Sequence, residues 1–138
     1  MAERVVVYQD RSFRTQYKAA DPQEDDTDVV DNVMHLHNLT PYGMLLASLG
    51  TCTAIIVNTY ARNHDIPLRG LTVDVDYDRV YAEDCDDCEM DTKYEEVIRK
   101  QISFEGELET AQIDRLHRVA EACSVSKMLA NGIRIESE

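Results

Sequence analysis

The segment from Pro41 to Asn63 decides most of what this chain can become. Thr40 suits an N-cap and Pro41 a first helical position, where a missing N–H costs nothing and the fixed φ is already helical. Leu45, Leu49, Cys52 and Ile56 recur at helical intervals and mark one stripe. Met44, Leu46, Ala47, Ala54, Ile55 and Val57 fill much of the remaining circumference. A helix apolar nearly all round is a buried helix. At about 1.5 Å per residue it extends roughly 34 Å, the width of a small domain. The segment thus predicts a central helix covered on several sides. That is more cover than a few short strands of one chain provide, so a homodimer with Cys52 near the interface is expected. Ala47, Ser48, Gly50, Thr51, Thr53 and Ala54 are small, which lets another backbone come close around Cys52.

Around this helix the hydrophobic period is two. Val5 to Tyr8 and Ser12 to Ala19 read as strands with a turn at Gln9-Asp10, and a further strand is expected within Val29 to Leu36. After Pro67 and Gly70, Leu71, Val73, Val75 and Tyr77 alternate with Thr72, Asp74, Asp76 and Asp78. Ile98, Lys100, Ile102 and Phe104 interleave with Val97, Arg99, Gln101 and Ser103, a strand with one apolar side. Thr110 opens a second helix with Ile113, Leu116, Val119 and Ala120 on one side. A short third helix begins near Cys123-Ser124 and ends at Asn131-Gly132, and Ile133 to Ile135 reads as a last strand. The expected order is β-β-β-α-β-β-α-α-β. With 138 residues, no linker and no repeat, it forms a single domain over residues 1–138.

A net charge of −13 and a pI near 4.6 argue against nucleic acid and against an anionic membrane surface, both of which call for clustered Lys and Arg. The runs Glu24-Asp25-Asp26 and Glu83 to Glu89 read as solvated loops. No apolar run approaches the ~18–20 residues of a membrane span, and Met1-Ala2-Glu3-Arg4 does not resemble a signal peptide, so the expected location is cytoplasmic.

Four cysteines without a secretory signal point to thiol, metal or redox chemistry before structural disulfides. Cys52, on the apolar stripe, reads from spacing alone as a small core residue. A reactive thiol needs a cation or a helix amino terminus nearby, and the local sequence supplies neither. Cys123 stands between two helices. It is either a buried small residue at the junction or a thiol favoured as thiolate by the free N–H groups of the next helix. Cys85 and Cys88 form one CxxC among acidic residues. Structural zinc usually takes four ligands, and His35, His37, His64 and His117 complete no set. The acidic neighbours also raise the thiol pKa values. His35 and His37 alternate on the expected strand and read as surface or interface residues. No phosphate loop, HExxH or GxSxG occurs, and neither metal nor cofactor is expected.

Thr40-Pro41-Tyr42-Gly43-Met44-Leu45-Leu46-Ala47-Ser48-Leu49-Gly50-Thr51-Cys52-Thr53 resembles the central-helix segment of the OsmC/Ohr family. Ala120-Glu121-Ala122-Cys123-Ser124-Val125 resembles the family's second cysteine segment, usually Cys-Pro-Val-His. Ala82 to Glu89 resembles a loop of its YhfA-like subgroup. The resemblance covers nearly everything after residue 38. It implies an α+β fold in which an antiparallel sheet surrounds the long helix and two chains intertwine as a homodimer, with two sites at the interface. It also implies a thiol peroxidase that reduces organic hydroperoxides, with Cys52 attacking the peroxide and Cys123 condensing with the resulting sulfenic acid. An external thiol then reduces the disulfide. Two departures stand out. Tyr42-Gly43 occupies the place of a Glu that helps hold an Arg against the reactive thiol, and Ser124 stands where Pro is usual. Arg11 and Arg14 are the arginine candidates. Two other readings stand beside the peroxidase: a non-catalytic protein binding a small apolar ligand at the interface, and a metal- or sulfur-handling module built on Cys85 and Cys88.

Overall fold

A computed structural model describes residues 2–24, 26–81 and 94–138. The elements are β1 (Ala2–Asp10), β2 (Thr15–Ala19), β3 (Asp31–Asn32), a 3-10 turn (Leu36–Asn38), α1 (Pro41–Asn63), β4 (Leu68–Tyr81), β5 (Tyr94–Gly106), α2 (Thr110–Ala120) and α3 (Ser124–Asn131). The strands form one antiparallel sheet in the order β3-β2-β1-β4-β5, an α+β architecture with α1 laid across one face.

Alternation dictates which side of the sheet meets the helix. Val5 and Val7 on β1 and Leu71, Val73, Val75 and Tyr77 on β4 are buried, while the residues between them are half-exposed. Each fully buried aliphatic side chain here contributes about 1.5–3 kcal/mol relative to exposure. Thr40 caps α1 as expected: its hydroxyl accepts from Gly43 N at 3.0 Å and donates to the Glu3 carboxylate at 2.6 Å. The buried Asn58 ties α1 to β1 by donating to Gln9 Oε1 (3.1 Å) and to the Asp10 carbonyl (2.8 Å).

The helix does not turn the expected stripe to the sheet. Its buried face runs through Gly43, Leu46, Ala47, Leu49, Gly50, Thr53, Ala54, Val57 and Ala61, so of the stripe only Leu49 is buried, whereas Leu45, Cys52 and Ile56 are half-buried. A helix apolar all round carries no phase in its pattern, so side-chain size selects the face. The expected close backbone approach occurs at Gly50, where a Cβ would lie 2.6 Å from Val7 Cγ2. An 18-residue window of α1 has a mean hydropathy of 1.5, enough by length and composition to cross a membrane; in this fold it is the core helix.

Three smaller expectations differ from the structure. The β1–β2 reversal comes after Asp10, whose carboxylate accepts from Ser12 N, Ser12 Oγ and Arg14 N, so Gln9 stays in the strand opposite Thr15. The strand expected within Val29 to Leu36 shrinks to β3, and His35 and His37 flank and enter the 3-10 turn instead. Residues 132–138 form no strand: neither edge of the sheet takes Ile133 to Ile135, and all are exposed. Three alternating residues carry a period but no pairing partner.

Candidate functional site

Cys52 lies on the face of α1 turned away from the sheet, where it opens onto an apolar groove of about 910 Å³. Met44, Ile55 and Ile56 from α1, Tyr17 from β2, and Leu36 and Leu39 around the 3-10 turn form much of its wall. Tyr17 is held in place by a 2.7 Å hydrogen bond to Thr51 Oγ1. Since Thr51 donates to the Ala47 carbonyl, Tyr17 is the donor in this pair.

Behind Cys52 sits Cys123, fully buried. Leu116 and Ala120 pack α2 into the core. The chain then turns through Glu121 and Ala122, and Cys123 becomes the N-cap of α3 with a non-helical backbone. The expectation of a helix amino terminus at this cysteine holds. Its sulfur is within hydrogen-bonding reach of the Cys52 thiol, and Cys52 Sγ lies 3.6 Å from Ser124 Oγ. The two cysteines, 71 positions apart in sequence, therefore meet at the α1–α3 contact.

The Cys123 thiol is held below the ordinary thiol range. Burial pushes it up, but the donors around the sulfur outweigh burial: the Cys52 thiol first, then the Ser126 N–H and the hydroxyls of Thr53 and Ser126. Ser126 N–H faces the sulfur without closing a regular cap bond. The Thr53 hydroxyl proton is already given to the Leu49 carbonyl at 2.9 Å, which leaves Ser126 as the stronger hydroxyl donor.

A cation close to this pair, Lys100, was not among the expected site residues. Lys100 on β5 reaches Thr53 Oγ1 (3.1 Å), Ser126 Oγ (3.2 Å) and the Ala120 carbonyl (3.4 Å). The signal was there: Lys100 holds an inward register position between Ile98 and Ile102, where an alternating strand otherwise keeps apolar residues. Arg11 and Arg14, the expected candidates, are found at the β1–β2 turn. There the Arg11 carbonyl accepts from Arg62, ten residues and about 15 Å along α1 from Cys52. Neither lines the groove. Tyr42 stacks on Tyr77 with ring centroids 5.0 Å apart and also stays outside it.

Residues 34–138 match the family model described as OsmC-like protein. The chain belongs to this family. The match contains both cysteine segments, α1 and Lys100, and leaves out β1 and β2. Those strands are nevertheless part of a shared fold. An OsmC-like hydroperoxide resistance protein from Jannaschia sp. CCS1 superposes with a TM-score of 0.61 over 97% of this chain and 90% of its own, at 12% identity. A putative osmotic stress induced and detoxification response protein from Psychrobacter arcticus 273-4 is similar at a TM-score of 0.47 and 21% identity, over 81% of this chain and 78% of its own. No curated protein sequence matches.

Of the remaining candidates of this OsmC-like chain, His35 lines the same groove as Cys52. The rings of His35 and His37 stack on each other with centroids 5.3 Å apart, and among the described residues no group of three or more His, Cys, Asp or Glu side chains is arranged to hold a metal. Cys85 and Cys88 lie outside the described residues.

Proposed function

We propose that this OsmC-like protein is a cytoplasmic thiol peroxidase that reduces organic hydroperoxides through a Cys52–Cys123 cycle, as part of oxidative stress defence. The observation that carries the reading is the pairing itself: a half-exposed thiol at the wall of an apolar groove, with a buried, acid-shifted thiol in reach behind it. The groove suits a substrate with a hydrocarbon body, and such a body buried there contributes about 25 cal/mol per Å² of apolar surface. Cys52 sulfur attacks the outer peroxide oxygen, the O–O bond breaks, and the alcohol leaves with a proton. Cys123 thiolate then attacks the Cys52 sulfenic acid, expelling hydroxide that is protonated to water, and an S–S bond forms. A thiol reductant returns both cysteines to thiols and is itself oxidised to a disulfide.

The active form in this reading is a homodimer. Met34, Leu36 and Ile55, all exposed, stand on or beside the groove, and a second copy of the chain laid over them removes that apolar surface from water. The YhfA-like subgroup, carried by the segment Ala82 to Glu89, belongs to the same proposal.

One observation favours the alternative of a non-catalytic binder of a small apolar ligand: among the described residues no arginine lines the groove beside Cys52. A steady-state assay with an organic hydroperoxide and a dithiol separates the two. Turnover that disappears in Cys52→Ser, and that stops at a Cys52 sulfenic acid in Cys123→Ser, supports the peroxidase. An absence of turnover together with saturable binding of an apolar ligand supports the binder.

A further inference from the structure

Lys100 is a half-buried ammonium whose three bonds all go to neutral oxygens: two hydroxyls and a main-chain carbonyl. Among the described residues no carboxylate lies within ion-pair distance of it. Half-buried charges normally find a counter-charge, because desolvation without one is costly. Two of the three oxygens, Thr53 Oγ1 and Ser126 Oγ, belong to side chains that also help hold the Cys123 thiol down. The Ser126 hydroxyl accepts from Lys100 and keeps its proton free, so it can pass the polarisation on by donating to that sulfur. Among the described residues, the titratable or charged groups that face Cys123 are the Cys52 thiol from α1 and, through these hydroxyls, Lys100 from β5. The anion missing from this cluster is one that Cys123 itself can supply.

We propose that Lys100 is a positioning residue that holds the Cys123 sulfur as thiolate, making Cys123 the group expelled when an external thiol opens the Cys52–Cys123 disulfide. The proposal deepens the peroxidase reading and rests on it for the existence of that disulfide in turnover. The incoming thiolate attacks the half-exposed Cys52 sulfur, and the S–S electron pair leaves on Cys123, where the Lys100 charge and the α3 amino terminus stabilise it. A mixed disulfide between reductant and Cys52 results. A second reductant thiolate attacks the reductant sulfur of that bond, and Cys52 leaves as a thiolate. A stabilised leaving thiolate departs faster, and burial of Cys123 keeps the attack on Cys52. The same stabilisation readies Cys123 to attack the sulfenic acid in the forward half of the cycle.

Lys100 also bonds the last carbonyl turn of α2, so a purely structural role must be told apart. The ultraviolet absorbance of thiolate, followed against pH, does this without any peroxide. In the Cys52→Ser, Cys85→Ser, Cys88→Ser protein Cys123 is the one thiol left, and the hydroxyl introduced by Cys52→Ser keeps a donor beside it. The expected midpoint lies below the ordinary thiol range. Lys100→Gln raises it by about one pH unit or more, and Lys100→Arg keeps it near the parent. A folded Lys100→Gln protein with the parent's midpoint overturns the proposal. Should Lys100→Gln not fold, the unaltered protein supplies the second measurement. Its Cys52–Cys123 disulfide, made with diamide, is opened with limiting 2-mercaptoethanol. The adduct is expected on Cys52, and an adduct on Cys123 overturns the assignment. Neither measurement involves a hydroperoxide, so failure of the peroxidase reading and failure of the Lys100 role are distinguishable.

Discussion

Gly50→Ala tests the packing that sets α1 on the sheet. The new Cβ would stand 2.6 Å from Val7 Cγ2, 3.2 Å from Val7 Cβ and 3.4 Å from Val75 Cγ2. Carbon atoms rest at about 3.5–4.0 Å, so the helix or Val7 must give way by about 1 Å. Val7 has little room to turn: it is fully buried and β-branched, with a stiff χ1. Overpacking of this kind costs about 1–3 kcal/mol, while alanine in place of a mid-helix glycine returns about 1 kcal/mol. A net loss of up to about 2 kcal/mol is expected, which lowers a urea midpoint by up to roughly 1 M at a slope near 2 kcal/mol/M. Protein concentration is held fixed, because association shifts apparent stability. Val7→Ala makes room, so the double variant should lose less than the two single losses together by about 1 kcal/mol. A Gly50→Ala protein more stable than the parent, or strict additivity with Val7→Ala, refutes the close approach.

Light scattering at micromolar concentration should give twice the 15.7 kDa chain mass, and Ile55→Glu should halve it with the helical signal intact. A folded wild-type monomer removes the shared-site account. Replacing Cys85 and Cys88 together by Ser should leave fold, assembly and peroxidase turnover unchanged. Stoichiometric zinc in the purified protein, lost with stability in that variant, contradicts the solvated-loop reading.

The central helix was legible because its signals are local: a Thr-Pro start and a run of apolar residues too continuous for a surface helix. Its orientation was not, because Leu45, Leu49, Cys52 and Ile56 and the smaller residues between them are alike in hydropathy. What separates them is the fit of Gly50 and Ala54 to the valines of β1 and β4. The same limit governs the strands. Alternation located β4 and β5, whereas Gln9 read as a turn because its partners, Asn58 and Thr15, are fixed only by the tertiary fold. At the site, both cysteines and the helix start beside Cys123 could be read from the chain. The cation could not be assigned to a thiol, since the link from Lys100 to Cys123 runs through Thr53 and Ser126 on two other elements.

Peptide mapping after one equivalent of an organic hydroperoxide tests the central claim most directly. Cys52 and Cys123 meet at the α1–α3 contact, and a bridge needs their Cα atoms within about 7 Å. The account predicts a single intramolecular disulfide joining Cys52 to Cys123, with Cys85 and Cys88 still reduced. Recovery of Cys52 as free thiol while other cysteines are oxidised contradicts it.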